Sequence, residues 1–242
     1  MQVGVSEELA SAVTPTASRV ESAIDKLFAL PAVKDLVACY LEGPPKTKFA
    51  GLLFDSLEPN PHDKVDAADL VAVSLLDVRF GAKAVHQLLI ERVLDKHLEE
   101  LTPTLPLWAL SDVQIRILEA AFDALCKLEG VGRTKATKLL ARKRPLSAPI
   151  TDSLVEAFYG SRDWGHFRPL ATVLSKRPDL IRLLESMTPR QGASSPSVLR
   201  VLDIAIWMTS SKSTTAQDAR IQILGSPEPI SQLSRTSLST PN

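Results

Sequence analysis

Apolar residues recur every three or four positions along most of the chain, and strict apolar–polar alternation bounded by turn pairs is scarce. That spacing predicts an all-α protein. The amphipathic stretches fall at residues 6–30, 32–41, 67–76, 82–101, 112–127, 134–143, 153–159, 164–175, 180–186 and 196–208. Pro15 either kinks the first of these or sets its true start. The pairs Pro44-Pro45, Pro59 and Pro61, Pro103 and Pro106, and Pro145 and Pro149 stand where the pattern breaks. From residue 210 the text turns rich in Ser, Thr, Pro and Gln and holds no aromatic residue. One helical domain over residues 1–209 followed by a disordered tail over 210–242 is the expectation.

Composition narrows the class without naming a function. The chain has 242 residues, 45% of them apolar and 23% charged, which suits a globular protein with a real core. No apolar run reaches the roughly 18–20 residues of a membrane span, and residues 1–13 lack the basic-then-apolar order of a secretory signal, so a cytoplasmic protein is expected. Two cysteines, Cys39 and Cys126, cannot build a disulfide framework, a four-cysteine zinc site or a cysteine-ligated iron–sulfur cluster. His62, His86, His97 and His166 show no metal-ligand spacing, so no metal site is expected. Phosphate-binding P-loop, dinucleotide and nucleophile-elbow motifs are absent. Twenty-eight basic and 28 acidic side chains give a net charge of zero, which by itself argues against loose adhesion to nucleic acid.

The segment 112–152 changes that picture. A helix with Val113, Ile117, Ala121, Ala124 and Leu128 on one stripe, and Leu118, Phe122 and Leu125 beside it, runs into Gly130-Val131-Gly132. A second helix follows, with Ala136, Leu139 and Leu140 at one face, so the glycines read as a tight hairpin within residues 112–143. Bare amides at the second helix's N-terminus favour an anion. Residues 127–144 hold seven basic side chains (Lys127, Arg133, Lys135, Lys138, Arg142, Lys143 and Arg144) against the single acid Glu129, a surplus of six. The rest of the chain therefore carries six more acids than bases. Arg142, Lys143 and Arg144 suit a helix C-terminus in any case, which leaves Lys135 and Lys138 as the better phosphate ligands.

The run Leu128-Glu129-Gly130-Val131-Gly132-Arg133 with Ala136, Leu139 and Leu140 resembles the helix–hairpin–helix of base-excision DNA glycosylases. In that family a loop with Pro and an apolar residue leads to a catalytic aspartate; Pro149-Ile150-Thr151-Asp152 stands in that place, with 21 residues between Gly130 and Asp152. The resemblance, which covers about residues 121–155, implies an all-helical glycosylase-like fold and double-stranded DNA as partner. It implies phosphate contacts from Gly130, Val131, Gly132, Arg133, Thr134, Lys135 and Lys138, and a monovalent cation on the hairpin carbonyls as the only cofactor. Asp152 would stabilise the positive charge that develops on the sugar and orient or deprotonate the attacking water. Arg79 and Phe80 would supply the wedge that unstacks a base, and Trp108, Tyr159, Trp164 and His166 a lining for the flipped base. The sequence departs from the family at Glu129, where proline is usual, and at Thr134, where lyases carry a Schiff-base lysine. Lys135, one position on, should point about 100° away around the helix. Hydrolysis by water, without a lyase step, is the expected chemistry. The stretches Asp69-Leu70-Val71-Ala72-Val73 and 199–208 also resemble a family of uncharacterised bacterial proteins, which implies no function and, for a bacterial chain, a place at the nucleoid.

Blander readings stay open beside these. Gly130 and Gly132 also suit an ordinary helix–turn–helix link, the basic run a solvated face, Phe80 and the aromatics a core. Asp152, an acid just before a helix, suits an N-cap, while Ser153-Leu154-Val155-Glu156 also reads as a capping box that leaves Asp152 just outside the helix. A DNA-binding protein without chemistry, and a helical module whose basic hairpin meets an acidic protein, are the alternatives. Oligomeric state, lesion and the choice of DNA over RNA are not encoded in any motif.

Overall fold

The computed structural model describes residues 16–43, 49–160, 167–188 and 195–229. Among the described residues there are thirteen α-helices, one 3-10 turn and no strand. In chain order they are α1 (Ala17–Phe28), α2 (Ala32–Glu42), α3 (Leu52–Ser56), α4 (Ala67–Ser74), α5 (Ala82–Leu89), α6 (Asp95–Glu100), the 3-10 turn Leu107–Ala109, α7 (Asp112–Cys126), α8 (Arg133–Lys143), α9 (Ser153–Tyr159), α10 (Phe167–Lys176), α11 (Pro178–Ser186), α12 (Val198–Ser210) and α13 (Thr214–Leu224).

The helices form two layers. Packing of α1 on α9 and α10, and of α2 on α12 and α13, brings the first and last parts of the chain together. The middle of the chain makes the second layer, in which α3 meets α4, α4 meets α8, and α7 lies between α6 and α8. In the first layer α12 packs on α2, α9, α11 and α13, with Val201, Ile204, Ala205 and Met208 fully buried. On α8, in the second layer, Ala136, Leu139 and Leu140 are buried as their spacing requires.

Several boundaries follow local chemistry. The Thr16 hydroxyl accepts from the Arg19 amide at 3.3 Å, making Thr16 the N-cap of α1; Pro15 and the expected start at residue 6 lie outside the described part. Reciprocal caps of Asp66 with Asp69 and of Ser111 with Gln114 open α4 and α7. Pro178 stands in the first turn of α11, where its missing N–H costs nothing.

Four expectations need correction. The stretch 82–101 is two helices, broken where Arg92 takes φ 58° and its guanidinium reaches the Val65 carbonyl at 2.6 Å. Each half buries its own stripe, Leu88 in α5 and Leu98 in α6, so the apolar period runs through the break and cannot reveal it. The five-residue helix α3 is too short to show a period at all. On α7 the buried stripe is Ile115, Leu118, Ala121, Phe122 and Leu125, while Val113 is 57% exposed. The expected tail is helical over 214–224: Ala216 and Ala219 pack closely, and buried Arg220 donates to the carbonyls of Met208, Ser211 and Pro227. Small side chains and one well-satisfied arginine hold this helix without any aromatic residue. Residues 230–242 lie outside the described part.

Candidate functional site: the glycine hairpin and the charged seam

The turn between α7 and α8 is built around Val131, which is buried and whose amide donates to the Leu128 carbonyl at 3.0 Å. On either side the chain turns outward. Gly130 takes φ 71°, a left-handed conformation that calls for glycine. Gly132 is the N-cap of α8 at φ −82°, which any residue can adopt, so here glycine is informative for what it lacks. No side chain caps the N-terminus of α8, and a Cβ on Gly130 or Gly132 would meet nothing within 4 Å. The first amides of an eleven-residue helix therefore face open space. Exposed Lys127 stands beside this end. Arg133 pairs with Glu156 at 3.4 Å, and Thr134 is half-buried. Glu129, the acid of the turn, is neutralised by Lys83 of α5 at 2.5 Å. The ammonium of Lys135 donates at 2.6 Å to the Gly130 carbonyl, one of the hairpin carbonyls at which the resemblance would place a monovalent cation.

Most of the basic run does not face outward. Arg142, Lys143 and Arg144 are all at most 2% exposed. Arg142 and Lys143 share the fully buried carboxylate of Asp69, at 3.2 Å and 2.8 Å. Arg142 also donates to the carbonyls of Phe54, Asp55 and Leu57 at the end of α3, and Lys143 to Asn60 and to the Pro61 carbonyl. Arg144 donates to the carbonyls of Leu98, Leu101 and His62. Burial pulls the Lys143 ammonium below its ordinary range and the Arg144 guanidinium down to about 10. These three side chains satisfy carbonyls that helices and loops of the second layer would otherwise leave orphaned inside.

Lys138 is buried as well, at 8% exposure, and its ammonium donates to the Leu76 carbonyl at 2.8 Å. Its other neighbour is Asp152 Oδ2, at 3.9 Å. Asp152 is itself the N-cap of α9, with Oδ1 accepting from the amides of Leu154 and Val155 at 3.0 and 3.1 Å. The capping-box reading of Ser153 to Glu156 is thus corrected, and the expected catalytic carboxylate has one oxygen spent on the helix and one toward Lys138. Lys138 stands one helical turn after Thr134, and it, not Lys135, is the lysine beside Asp152.

Behind Asp152, where the two layers meet, lies a set of charges the motif reading missed. Asp203 of α12 is ion-paired with Arg200. Arg200 also pairs with Asp55 of α3 at 3.1 Å, donates to the Tyr40 hydroxyl at 2.9 Å and to the Gly51 carbonyl at 3.2 Å, and lies over the rings of Tyr40 and Phe54. Burial pushes the Asp203 carboxyl up to about 6; Arg200 and Lys138 oppose that rise and Asp152 adds to it. Asp55 is raised too, chiefly by burial. A signal was present in the sequence: Arg200 and Asp203, three residues apart, are the only charges in the otherwise apolar run 198–208. Charges inside so apolar a helix must find partners.

The other expected residues divide. Arg79 is exposed in the loop between α4 and α5, while Phe80 is half-buried against the core. The loop starts beside Leu76, the carbonyl held by Lys138, and ends at Gly81, the N-cap of α5. Trp108 is half-buried against the core and Tyr159 is buried, which fits packing better than stacking on a base; Trp164 and His166 lie outside the described residues. A small recess has Phe54, Asp55, Ala141, Ile150, Leu199 and Arg200 among its walls, and Asp152 is not one of them. Among the described residues no group of three or more His, Cys, Asp or Glu side chains could hold a metal ion, and no helix is long and apolar enough to cross a membrane.

Neither the curated proteins nor the solved structures yield a match to this chain. A family model does match, over residues 33–210, the span from α2 to the end of α12 that contains the hairpin, the Asp69 cluster and the seam alike. The chain belongs to that family, a family of unknown function designated DUF6308.

Proposed function

We propose that this protein binds duplex DNA through the hairpin end of α8. The observation that carries the reading is the bare helix N-terminus: two glycines at an exposed turn, no capping side chain, and open space in front of the amides. A phosphodiester oxygen is a fitting acceptor for such amides, and Lys127, Arg133 and Lys135 surround the position. The grip is local. With Lys138, Arg142, Lys143 and Arg144 buried, few positive charges remain to contact phosphates.

The variant Gly132→Asp separates this reading from a merely structural turn. A carboxylate at the N-cap satisfies the same amides from within, so the fold should be unchanged or slightly more stable. DNA affinity should fall by about tenfold or more, because the amides are occupied and a negative charge faces the phosphate. Fluorescence anisotropy with a short duplex at low salt measures the second effect and thermal melting the first. Wild-type affinity should also weaken with salt, with a shallow slope corresponding to about two or three phosphates. Absent or salt-insensitive binding would instead favour a helical module for an acidic protein partner.

A second reading, hydrolysis of an N-glycosidic bond, is favoured by the place of Asp152. Its Oδ2 is partly exposed beside Lys138, and the Arg133–Glu156 pair ties the start of α8 to the first turn of α9 that Asp152 caps. A carboxylate so fixed could stabilise an oxocarbenium-like sugar while accepting a proton from water. Duplexes with single damaged or mispaired bases should then yield alkali-labile abasic sites with wild type, at least about a hundredfold faster than with Asp152→Asn. Wild type inert across a broad panel of lesions leaves DNA binding without chemistry.

A further inference from the structure

Lys83 belongs to α5, outside the hairpin, yet its ammonium stands at the turn. It donates to Glu129 Oε2 at 2.5 Å, and Glu129 directly precedes Gly130. A second bond holds the approach to α5 against α8 from inside. Buried Lys138 of α8 donates to the Leu76 carbonyl at 2.8 Å, and the loop that begins there leads to Gly81, the N-cap of α5. The space around Lys83 is open. A Cβ on Gly81 would meet nothing within 4 Å, no side chain caps α5, and the neighbours of Lys83 in the chain are Ala82 and Ala84.

The Lys83–Glu129 pair differs from the other charge contacts of this region. Its side chains are 64% and 70% exposed, and an ion pair so solvated contributes little, so exchanging it for another partner costs little. Lys138, Arg142, Lys143 and Arg144 are bound to buried carbonyls and could turn outward only by leaving those carbonyls unpaired. A phosphate at the amides of α8 would act on both members of the exposed pair. It repels the Glu129 carboxylate and attracts the Lys83 ammonium, so one ligand loosens the pair and offers the lysine a new acceptor.

We propose that Lys83 is a DNA-binding residue of the hairpin surface: when duplex DNA binds, its ammonium exchanges the Glu129 carboxylate for a phosphodiester oxygen. The grip then draws on two elements, α8 and α5, and Glu129 is the chain's own competitor for the lysine. This rests on the DNA-binding reading and adds to it one residue that strengthens binding and one that restrains it. The contrasting role for Lys83, screening Glu129 without touching DNA, vanishes once Glu129 is uncharged. That difference makes Glu129→Gln the background in which the lysine is tested.

The experiment is duplex affinity across a series of salt concentrations, by fluorescence anisotropy, for wild type, Glu129→Gln and Glu129→Gln with Lys83→Gln. Lys26→Gln, at an exposed position of α1 in the first layer, is added to Glu129→Gln as a control for net charge. Glu129→Gln should bind about three- to tenfold tighter than wild type, with the competitor gone. Removing Lys83 from that background should cost about tenfold and make the salt dependence shallower by about one phosphate. The Lys26 control should change affinity by less than about twofold and leave the slope as it was. Equal affinity and equal salt slopes with and without Lys83, or an effect no larger than the control's, overturns the inference while the hairpin reading stands on its own test, Gly132→Asp. Absence of duplex binding by both wild type and Glu129→Gln at low salt overturns the hairpin reading, and the inference falls with it. Both side chains are solvated, so all variants should melt close to wild type, and thermal melting checks that affinities are compared between folded proteins.

Discussion

Asp69→Asn is expected to lower the unfolding free energy by about 3–5 kcal/mol at neutral pH, the cost of breaking a buried ion pair from one side. The carboxylate accepts from Arg142 and Lys143 and, through Oδ2, from the Asp66 amide at 3.0 Å, with no exposure to water. Asparagine keeps the shape and one acceptor but removes the charge that balances two buried cations. The two do not respond alike, because Lys143 can release its proton in the folded state and Arg142 cannot. Its ammonium is already held below its ordinary range by burial and raised chiefly by Asp69. In the variant the folded form therefore sheds that proton at lower pH than the unfolded form does, and stability should rise again as pH climbs toward the lysine's ordinary 10.5. Urea denaturation from neutral to alkaline pH reads both parts. Asp66→Ala, which removes a helix cap at a half-exposed position and one of the lesser charges acting on Lys143, serves as the reference at about 1 kcal/mol. A loss no larger than that reference would mean that the cluster is reached by water.

The same cluster shows where sequence reading succeeds and where it stops. The all-helical class, the hairpin and most helix faces are periodic and local, so residues such as Ala136, Leu139 and Leu140 declare themselves. Charge is different, because its meaning depends on what lies opposite. Counted along the chain, residues 127–144 hold a basic surplus that suggests an exposed face. In space, four of its seven cations are consumed by Asp69, Asp152 and carbonyls drawn from residues 54–101. Asp152 aside, those partners lie 43 to 88 positions earlier in the sequence, beyond any local pattern. Asp152 was found by its spacing, but its role as a cap depended on where α9 begins. Asp203 and Arg200 carried a readable signal, two charges on an apolar helix, whose partners only the packing of α2, α3 and α12 identifies.

Arg200 is the common cation of Asp55 and Asp203, and Arg200→Met is expected to change stability with a sign as well as a size that depend on pH. Methionine replaces most of the volume against Tyr40 and Phe54 but leaves Asp55 and Asp203 buried without their common cation. Burial has already raised both carboxyls, and Arg200 is the first of the groups that pull each back down. Removing it should raise both further. A carboxyl whose folded pKa lies above its unfolded 3.8 keeps its stabilising proton at low pH and loses that stability as pH rises through the folded value. Arg200→Met should therefore be less stable than wild type by about 3–5 kcal/mol at mildly alkaline pH, and by much less near pH 5, where both acids are neutral. Wild type should show the same slope in weaker form, between 3.8 and about 6 from Asp203, with raised Asp55 adding to it. Thermal melts across this range compare the two proteins directly. Adding Asp55→Asn and Asp203→Asn to Arg200→Met should remove the slope and return most of the lost stability, since neutral groups need no counter-charge. A deficit that stays constant with pH in both variants would show that the arginine acts through packing against the two rings, not through the carboxylates it joins.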